Sequence, residues 1–178
     1  NRFVFGFEES CGYLKGTYAR DKDAVCAAML ATEMAAYYKA KNMTLYDALQ
    51  KLYARYGYYG EKSQDVYMEG LDGIERRTNT MKNLRENPPK SIGGSPVAFV
   101  GDYLAGTITA LADGSTKPTG LPKSDVLYYG LADGDVAVIR PSGTEPKIKI
   151  YYLASAKDAA ALAAKLATYA AETDKLVK

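Results

Sequence analysis

The chain has 178 residues, 47% of them apolar and 25% charged, with a formal net charge of +2, which suits one large globular domain or two small ones. So small a net charge excludes a nucleic-acid or membrane partner held by field alone, and no apolar run approaches the roughly 20 residues of a membrane-spanning helix. Histidine is absent, so acid–base or metal chemistry must use carboxylates, lysines, hydroxyls or backbone dipoles; Cys11 and Cys26 are too few for a disulfide framework and fit a reducing compartment.

In chain order, Arg2 to Phe7 ("RFVFGF") reads as a short buried strand. A strand that begins at the second residue of a chain opening on Asn1 has no upstream partner, so a piece of a longer protein is expected. The polar stretch "EESCGYLKGTYARDKD" follows as a loop. Asp21 or Asp23 can cap a helix over 24–41 with Val25, Ala28, Met29, Thr32 and Ala36 on one face, and Asn42 is a plausible stop. Thr44 and Asp47 have the spacing of a capping box. They open a second helix whose stripe is Leu45, Ala48, Leu49, Leu52, Tyr53 and Tyr56, ending at Gly57.

"GYYGEKSQ", residues 57–64, lacks clear periodicity and reads as a linker with a flexible joint at 57–60. Beyond it the spacing predicts a strand near 64–68 and a helix carrying Leu71, Ile74, Thr78, Met81 and Leu84 that stops at Pro88 and Pro89. Further strands are predicted near 96–104, 125–130, 135–140 and 147–153, with Asp133-Gly134 as a hairpin turn. Ser155 and Asp158 can open a final helix with Leu162, Leu166 and Tyr169 in its stripe. The order of elements implies an α+β chain in two parts. Residues 1–60 form the end of one domain, and residues 61–178 form an antiparallel sheet with helices on one face.

Two loops carry the chemistry. In "RPSGTEP", Arg140 offers a planar fork for an oxyanion, Ser142 and Thr144 add hydroxyls, and Gly143 lets the backbone come close and present its amides. Pro141 and Pro146 reduce the entropy lost when the loop orders. Lys149 alternates with Ile148 and Ile150, so it leaves the sheet on the opposite face and can add charge. Glu145 would repel an anion and is expected to turn away, onto a lysine. A tight turn with a solvated arginine would use the same residues. In "GFEESCGYLKG", Glu8, Glu9 and Ser10 are acceptors suited to sugar hydroxyls, or simply solvated acids. Arg20, Asp21, Lys22 and Asp23 read as a charged helix start, in which Lys22 could bind a phosphate oxygen or move a proton. Of the 16 tyrosines, which could suggest carbohydrate stacking, many fall on helix stripes and read as core.

Taken together, "FEESCGY", "RDKD" and "RPSGTEPKIKIYY" resemble the alpha-D-phosphohexomutase superfamily, the phosphoglucomutases and phosphomannomutases, over essentially the whole chain. The resemblance implies the end of an α/β domain three (1–60), with its sugar-binding loop, followed by a TBP-like domain four (61–178), with its phosphate-binding loop. It implies that Glu8 and Ser10 hold sugar hydroxyls, with Arg20 and Lys22 nearby. Arg140, Ser142, Gly143, Thr144 and Lys149 would hold the phosphate that is not transferred.

The implied reaction interconverts hexose 1-phosphate and hexose 6-phosphate in the cytoplasm through a hexose 1,6-bisphosphate. Phosphoglucomutase is favoured, with phosphomannomutase or a stand-alone sugar-phosphate-binding module as alternatives. The family's "TASHNP"-like phosphoserine loop and "DGDxDR"-like Mg2+ loop are absent from this sequence. The implied Mg2+ would therefore sit in other domains of the same enzyme, and this chain alone would have no catalytic residue unless Lys22 is one. "ADGDVAV" at 132–138 only superficially resembles the metal loop and reads as the hairpin turn.

Overall fold

The computed structural model describes residues 3–8 and 11–177. The chain divides into two compact units, one ending at Tyr56 and one beginning at Gly57.

In the first unit, β1 (Phe5–Glu8) pairs antiparallel with β2 (Gly12–Lys15), with Glu8 opposite Gly12. Residues 12–15 are strand rather than loop; four residues between polar stretches carry too little alternation to mark a strand in sequence. Helix α1 (Ala24–Lys39) starts where the Asp23 carboxylate accepts from the amides of Val25 and Cys26. This is the N-cap that the sequence offered. Asn42 takes a positive φ of 54° just past the helix end, a conformation that asparagine tolerates better than most residues. Thr44 and Asp47 then cap α2 (Leu45–Tyr56) reciprocally. The Thr44 amide donates to the Asp47 carboxylate at 2.8 Å, and the Asp47 amide donates to Thr44 Oγ1 at 3.1 Å. The expected α1 stripe is not a buried one: Val25 and Met29 are 70% and 68% exposed. An apolar cavity of 710 Å³ lies instead among Phe5, Tyr13, Ala27, Leu30, Ala31 and Met34.

The second unit is built on one antiparallel sheet with the path β3-β10-β9-β8-β5-β6-β7, to which β4 (Ser91–Ile92) adds by pairing with β5. Its strands are β3 (Tyr58–Tyr67), β5 (Ser95–Asp102), β6 (Thr107–Ala110), β7 (Thr116–Pro118), β8 (Leu127–Leu131), β9 (Val136–Pro141) and β10 (Lys147–Ala156). The linker expectation at 57–64 is corrected here. Residues 58–67 form a full edge strand, registered against β10 from Tyr58 opposite Ala156 to Tyr67 opposite Lys147. An edge strand needs few apolar residues, and "YYGEKSQD" hides its alternation for that reason. The short strands β6 and β7 were also unforeseen.

Helices α3 (Gly73–Glu86) and α4 (Ala159–Val177) cover one face of this sheet. Asp158 caps α4, its carboxylate accepting from the Ala161 amide at 2.8 Å. The core lies between this face and the helices. Ile139, Ile148, Ile150, Tyr152, Leu127 and Tyr129 point inward with no exposed surface, against Met81, Leu84, Leu162, Leu166 and Tyr169. A strand's side chains alternate between faces, so the neighbours of these residues emerge on the side without helices. That side carries Arg140, Lys147, Lys149, Tyr151 and Asp65.

Candidate functional site

The β9–β10 connection is shaped by its own backbone and by one helix. The Ser142 amide donates to the Lys147 carbonyl at 2.9 Å and the Lys147 amide to the Glu145 carbonyl at 2.8 Å. The Glu145 amide donates to Ser142 Oγ at 3.3 Å. Arg77 of α3 donates one guanidinium nitrogen to two loop carbonyls, those of Ser142 at 2.6 Å and Glu145 at 3.0 Å. Sequence reasoning missed Arg77: nothing in a helix predicted from an apolar stripe shows which loop its polar face meets. Ser142 is buried, and its hydroxyl oxygen serves the loop itself. Gly143 and Thr144 form the exposed crest. A Cβ built on Gly143 would meet no heavy atom within 4 Å, and its φ lies outside the left-handed region. Neither packing nor backbone conformation requires a glycine there.

Arg140 and Lys149 are direct cross-strand partners, and opposite residues in an antiparallel pair hold their Cβ atoms about 5 Å apart. Arg140 donates to the Tyr151 hydroxyl at 3.0 Å, and its guanidinium lies 5.6 Å from that ring's centre. Among the described residues neither Arg140 nor Lys149 makes an ion pair, so most of the guanidinium fork and the whole Lys149 ammonium lack an acidic partner. Glu145 turns onto a lysine: its carboxylate lies 2.8 Å from Lys147 Nζ. Lys147 also pairs with Asp65 at 2.8 Å and meets the Tyr67 hydroxyl at 3.2 Å. The hydrogen bonds it donates to Asp65, then to Glu145 and Tyr67, push its ammonium well above the usual lysine range. The loop therefore combines two unpaired cations with open backbone amides, chemistry that suits a phosphate or another oxyanion.

In the first unit, Lys22 Nζ lies 3.3 Å from Glu8 and 3.3 Å from Asp21. The hydrogen bond to Glu8, followed by that to Asp21, raises the Lys22 pKa, so the group holds its proton at neutral pH and is a cation rather than a base. Gly12 makes this packing possible, since a Cβ there would fall 2.4 Å from Lys22 Cγ and 2.7 Å from Glu8 Oε1. Arg20 is exposed and makes no ion pair among the described residues. Ser10 lies outside the described residues.

Residues 132–135 form the β8–β9 turn, with Gly134 at φ 90°, and 136–138 begin β9. The Asp135 carboxylate is buried. It accepts from the Ser155 amide at 3.0 Å and the Tyr169 hydroxyl at 2.7 Å, and lies 2.5 Å from Lys165 Nζ. Asp133 lies 2.8 Å from the same ammonium. A magnesium ion does not fit this turn, because Lys165 already occupies the place a cation would take. Among the described residues no cluster of three or more metal-ligating side chains occurs.

The chain matches two models of one family. Residues 1–56 match phosphoglucomutase/phosphomannomutase, alpha/beta/alpha domain III, and residues 105–169 match the phosphoglucomutase/phosphomannomutase C-terminal domain. Proteins named phosphoglucomutase from two Staphylococcus aureus strains, RF122 and MRSA252, are each 38% identical over 148 residues, or 83% of this chain. The chain spans about a quarter of their length, 27%. The open form of pp63/parafusin, an exocytosis-sensitive phosphoprotein and phosphoglucomutase from Paramecium, superposes over 95% of this chain and 29% of its own. The TM-score is 0.63 at 19% identity, a likeness of fold. With two domain models matched in order and relatives at this identity, the chain belongs to the phosphoglucomutase/phosphomannomutase family.

Proposed function

We propose that this chain is the substrate-holding C-terminal part of a phosphohexomutase, most simply a phosphoglucomutase, that interconverts hexose 1-phosphate and hexose 6-phosphate. The β9–β10 loop grips the phosphate that is not transferred: Arg140 with its fork, Lys149 with its charge, and Gly143 and Thr144 with amides and a hydroxyl. Ser142 supports the loop from within. Glu8, Ser10, Arg20 and Lys22 bind the sugar, Glu8 accepting from hydroxyls and Lys22 acting as a cation. The single observation that carries the reading is the Arg140–Lys149 pair, adjacent across two strands beside an open glycine and without acidic partners. The first unit is the end of domain three, and the second, from residue 57 onward, is domain four.

Phosphoryl transfer is achieved mainly by positioning and charge stabilisation. A hexose bisphosphate that must react at either end needs contacts both orientations share, and a donor loop for the distal phosphate with an acceptor loop for hydroxyls meets that need. The phosphoserine and Mg2+ of the family belong to other domains of the same enzyme, as do the groups that would cover the apolar surface of the first unit. Mg2+ supplies charge neutralisation on the transferring phosphoryl group there; this chain supplies binding and orientation. No helix among the described residues is long and apolar enough to cross a membrane, and the cysteine usage supports a cytoplasmic site.

The test is an assay of the 178-residue chain and of a polypeptide in which it follows the remaining family domains. With glucose 1-phosphate, Mg2+ and glucose 1,6-bisphosphate, the longer protein should turn over and the chain alone should not. Turnover by the chain alone, free of host enzyme, would overturn the reading. A clear preference of the longer protein for mannose phosphates would favour the phosphomannomutase alternative.

A further inference from the structure

Three carboxylate and ammonium groups on the helix-free face are paired in an order the register does not favour. Asp65 stands opposite Lys149 on β3 and β10, and opposite residues are natural ion-pair partners. Yet the Asp65 carboxylate lies 2.8 Å from Lys147, two residues away, and Glu145 lies on the same ammonium. An ammonium has three donors, and Lys147 Nζ has three partners: Asp65, Glu145 and the Tyr67 hydroxyl. Its side chain is 8% exposed, and the Tyr67 ring lies 4.9 Å from the nitrogen. Lys147 therefore has no donor to spare for a ligand.

We propose that Lys147 is an internal counter-ion. By taking both carboxylates, Asp65 and Glu145, it leaves Arg140 and Lys149 open to a phosphate that it does not itself touch. This rests on the reading of the β9–β10 loop as a phosphate grip. Without Lys147, Asp65 would face Lys149 directly and Glu145 would sit unneutralised in the loop. Both would compete with the anion. Lys147 is a positioning residue: it sets which charges on this face remain available.

The test is a double-mutant cycle on the 178-residue chain, titrated with inorganic phosphate while the Gly143 and Thr144 backbone amide shifts are followed. Lys147→Met should weaken binding about five- to tenfold, the scale of releasing two partly exposed carboxylates beside the site. Adding Asp65→Asn and Glu145→Gln to Lys147→Met should restore affinity to within about threefold of the unaltered chain. The Asp65→Asn/Glu145→Gln pair with Lys147 intact should change affinity by less than about threefold, because those charges are already neutralised. A structural defect would not be repaired by removing carboxylates. If the triple variant binds as weakly as Lys147→Met, Lys147 touches the ligand and the proposal is overturned. Unchanged affinity in Lys147→Met overturns it as well. Should Lys147→Met fail to fold, the pair variant decides, since a tenfold gain there means the carboxylates were never neutralised. If the unaltered chain shows no shift, or Arg140→Ala does not weaken binding, the phosphate-grip reading itself fails.

Discussion

The Arg77 guanidinium donates to the Ser142 carbonyl at 2.6 Å, and the same nitrogen reaches the Glu145 carbonyl at 3.0 Å. One helix side chain thus fixes both ends of the loop crest. Arg77→Ala leaves the partly buried Ser142 carbonyl and the exposed Glu145 carbonyl without their charged donor, and should cost about 1–3 kcal/mol of stability. Arg77→Lys supplies one donor point in place of the planar fork and should recover only part of it. Hydrogen exchange of the Ser142, Glu145 and Lys147 amides measures the effect. Exchange in Arg77→Ala equal to the unaltered chain would show that the loop holds itself.

Glycine at two positions does opposite work. A Cβ on Gly73 would fall 2.0 Å from the Met68 carbonyl oxygen, a backbone atom that cannot swing aside. Gly73→Ala should therefore destabilise by about 1–3 kcal/mol or more. Gly143 faces open space, so Gly143→Ala should change stability by less than about 1 kcal/mol while weakening phosphate binding by crowding the exposed amides. Thermal denaturation and phosphate titration on the two variants separate these effects. Equal loss of stability in both would remove the argument for a ligand-facing glycine.

Much of this was legible in the sequence, for identifiable reasons. The isoleucines of "KIKI" alternate with lysines, which assigned Lys149 to the face opposite the core. Asp23, Thr44 with Asp47, and Asp158 each carried a cap that the structure uses. Glu145 was readable as a residue that had to turn away from an anion. Only the end of the β3 edge strand, near 64–67, was legible; its first part was not, because an edge satisfies its backbone on one side only and tolerates polar residues and glycine. Arg77 and Asp65 were invisible for a different reason. Their roles depend on register between elements 65 and 82 residues from the loop's Ser142 and Lys147, and a single sequence does not print register.

Alkaline pH should unfold the second unit through its buried tyrosines. Burial pushes the Tyr152 hydroxyl from its ordinary 10.0 up to about 12; burial also raises Tyr129, and burial together with Asp135 raises Tyr169. A folded-state pKa above the unfolded one means the neutral form is favoured in the fold. That stability is complete below pH 10 and is lost as pH rises toward 12 and beyond. Tyrosinate absorbance should therefore show an early exposed class and a late class that appears together with loss of circular dichroism. Titration of all tyrosines before unfolding would contradict this.

The buried Asp135 should be structural. Asp135→Asn leaves Lys165 with a weaker partner and disturbs the bonds to Tyr169 and Ser155, and breaking a buried pair typically costs about 3–5 kcal/mol. On Asp133, burial raises the carboxyl pKa, but hydrogen bonds from Lys165, Ser95 and the Asp135 amide, with the charge of Lys165, outweigh it and the net shift is downward. Its contribution is present above the ordinary carboxylate pKa of about 3.9 and is lost as pH falls below it. Addition of Mg2+ should leave the amide shifts of residues 132–138 unmoved. Saturable movement there would mean that a metal displaces Lys165.

The central claim is that the segment from Arg140 to Thr144 grips a phosphate, and inorganic phosphate titrated into the 178-residue chain tests it most directly. Its donors come from one short, strand-flanked segment, so the site should be largely preformed and bind in the 178-residue chain by itself. An open site of this kind should bind in the millimolar range, about −4 kcal/mol. The account predicts saturable shifts centred on the Gly143 and Thr144 amides that Arg140→Ala abolishes and Glu8→Ala leaves intact. Amides of Gly143 and Thr144 that stay still at saturating phosphate, or move equally in Arg140→Ala, would contradict it.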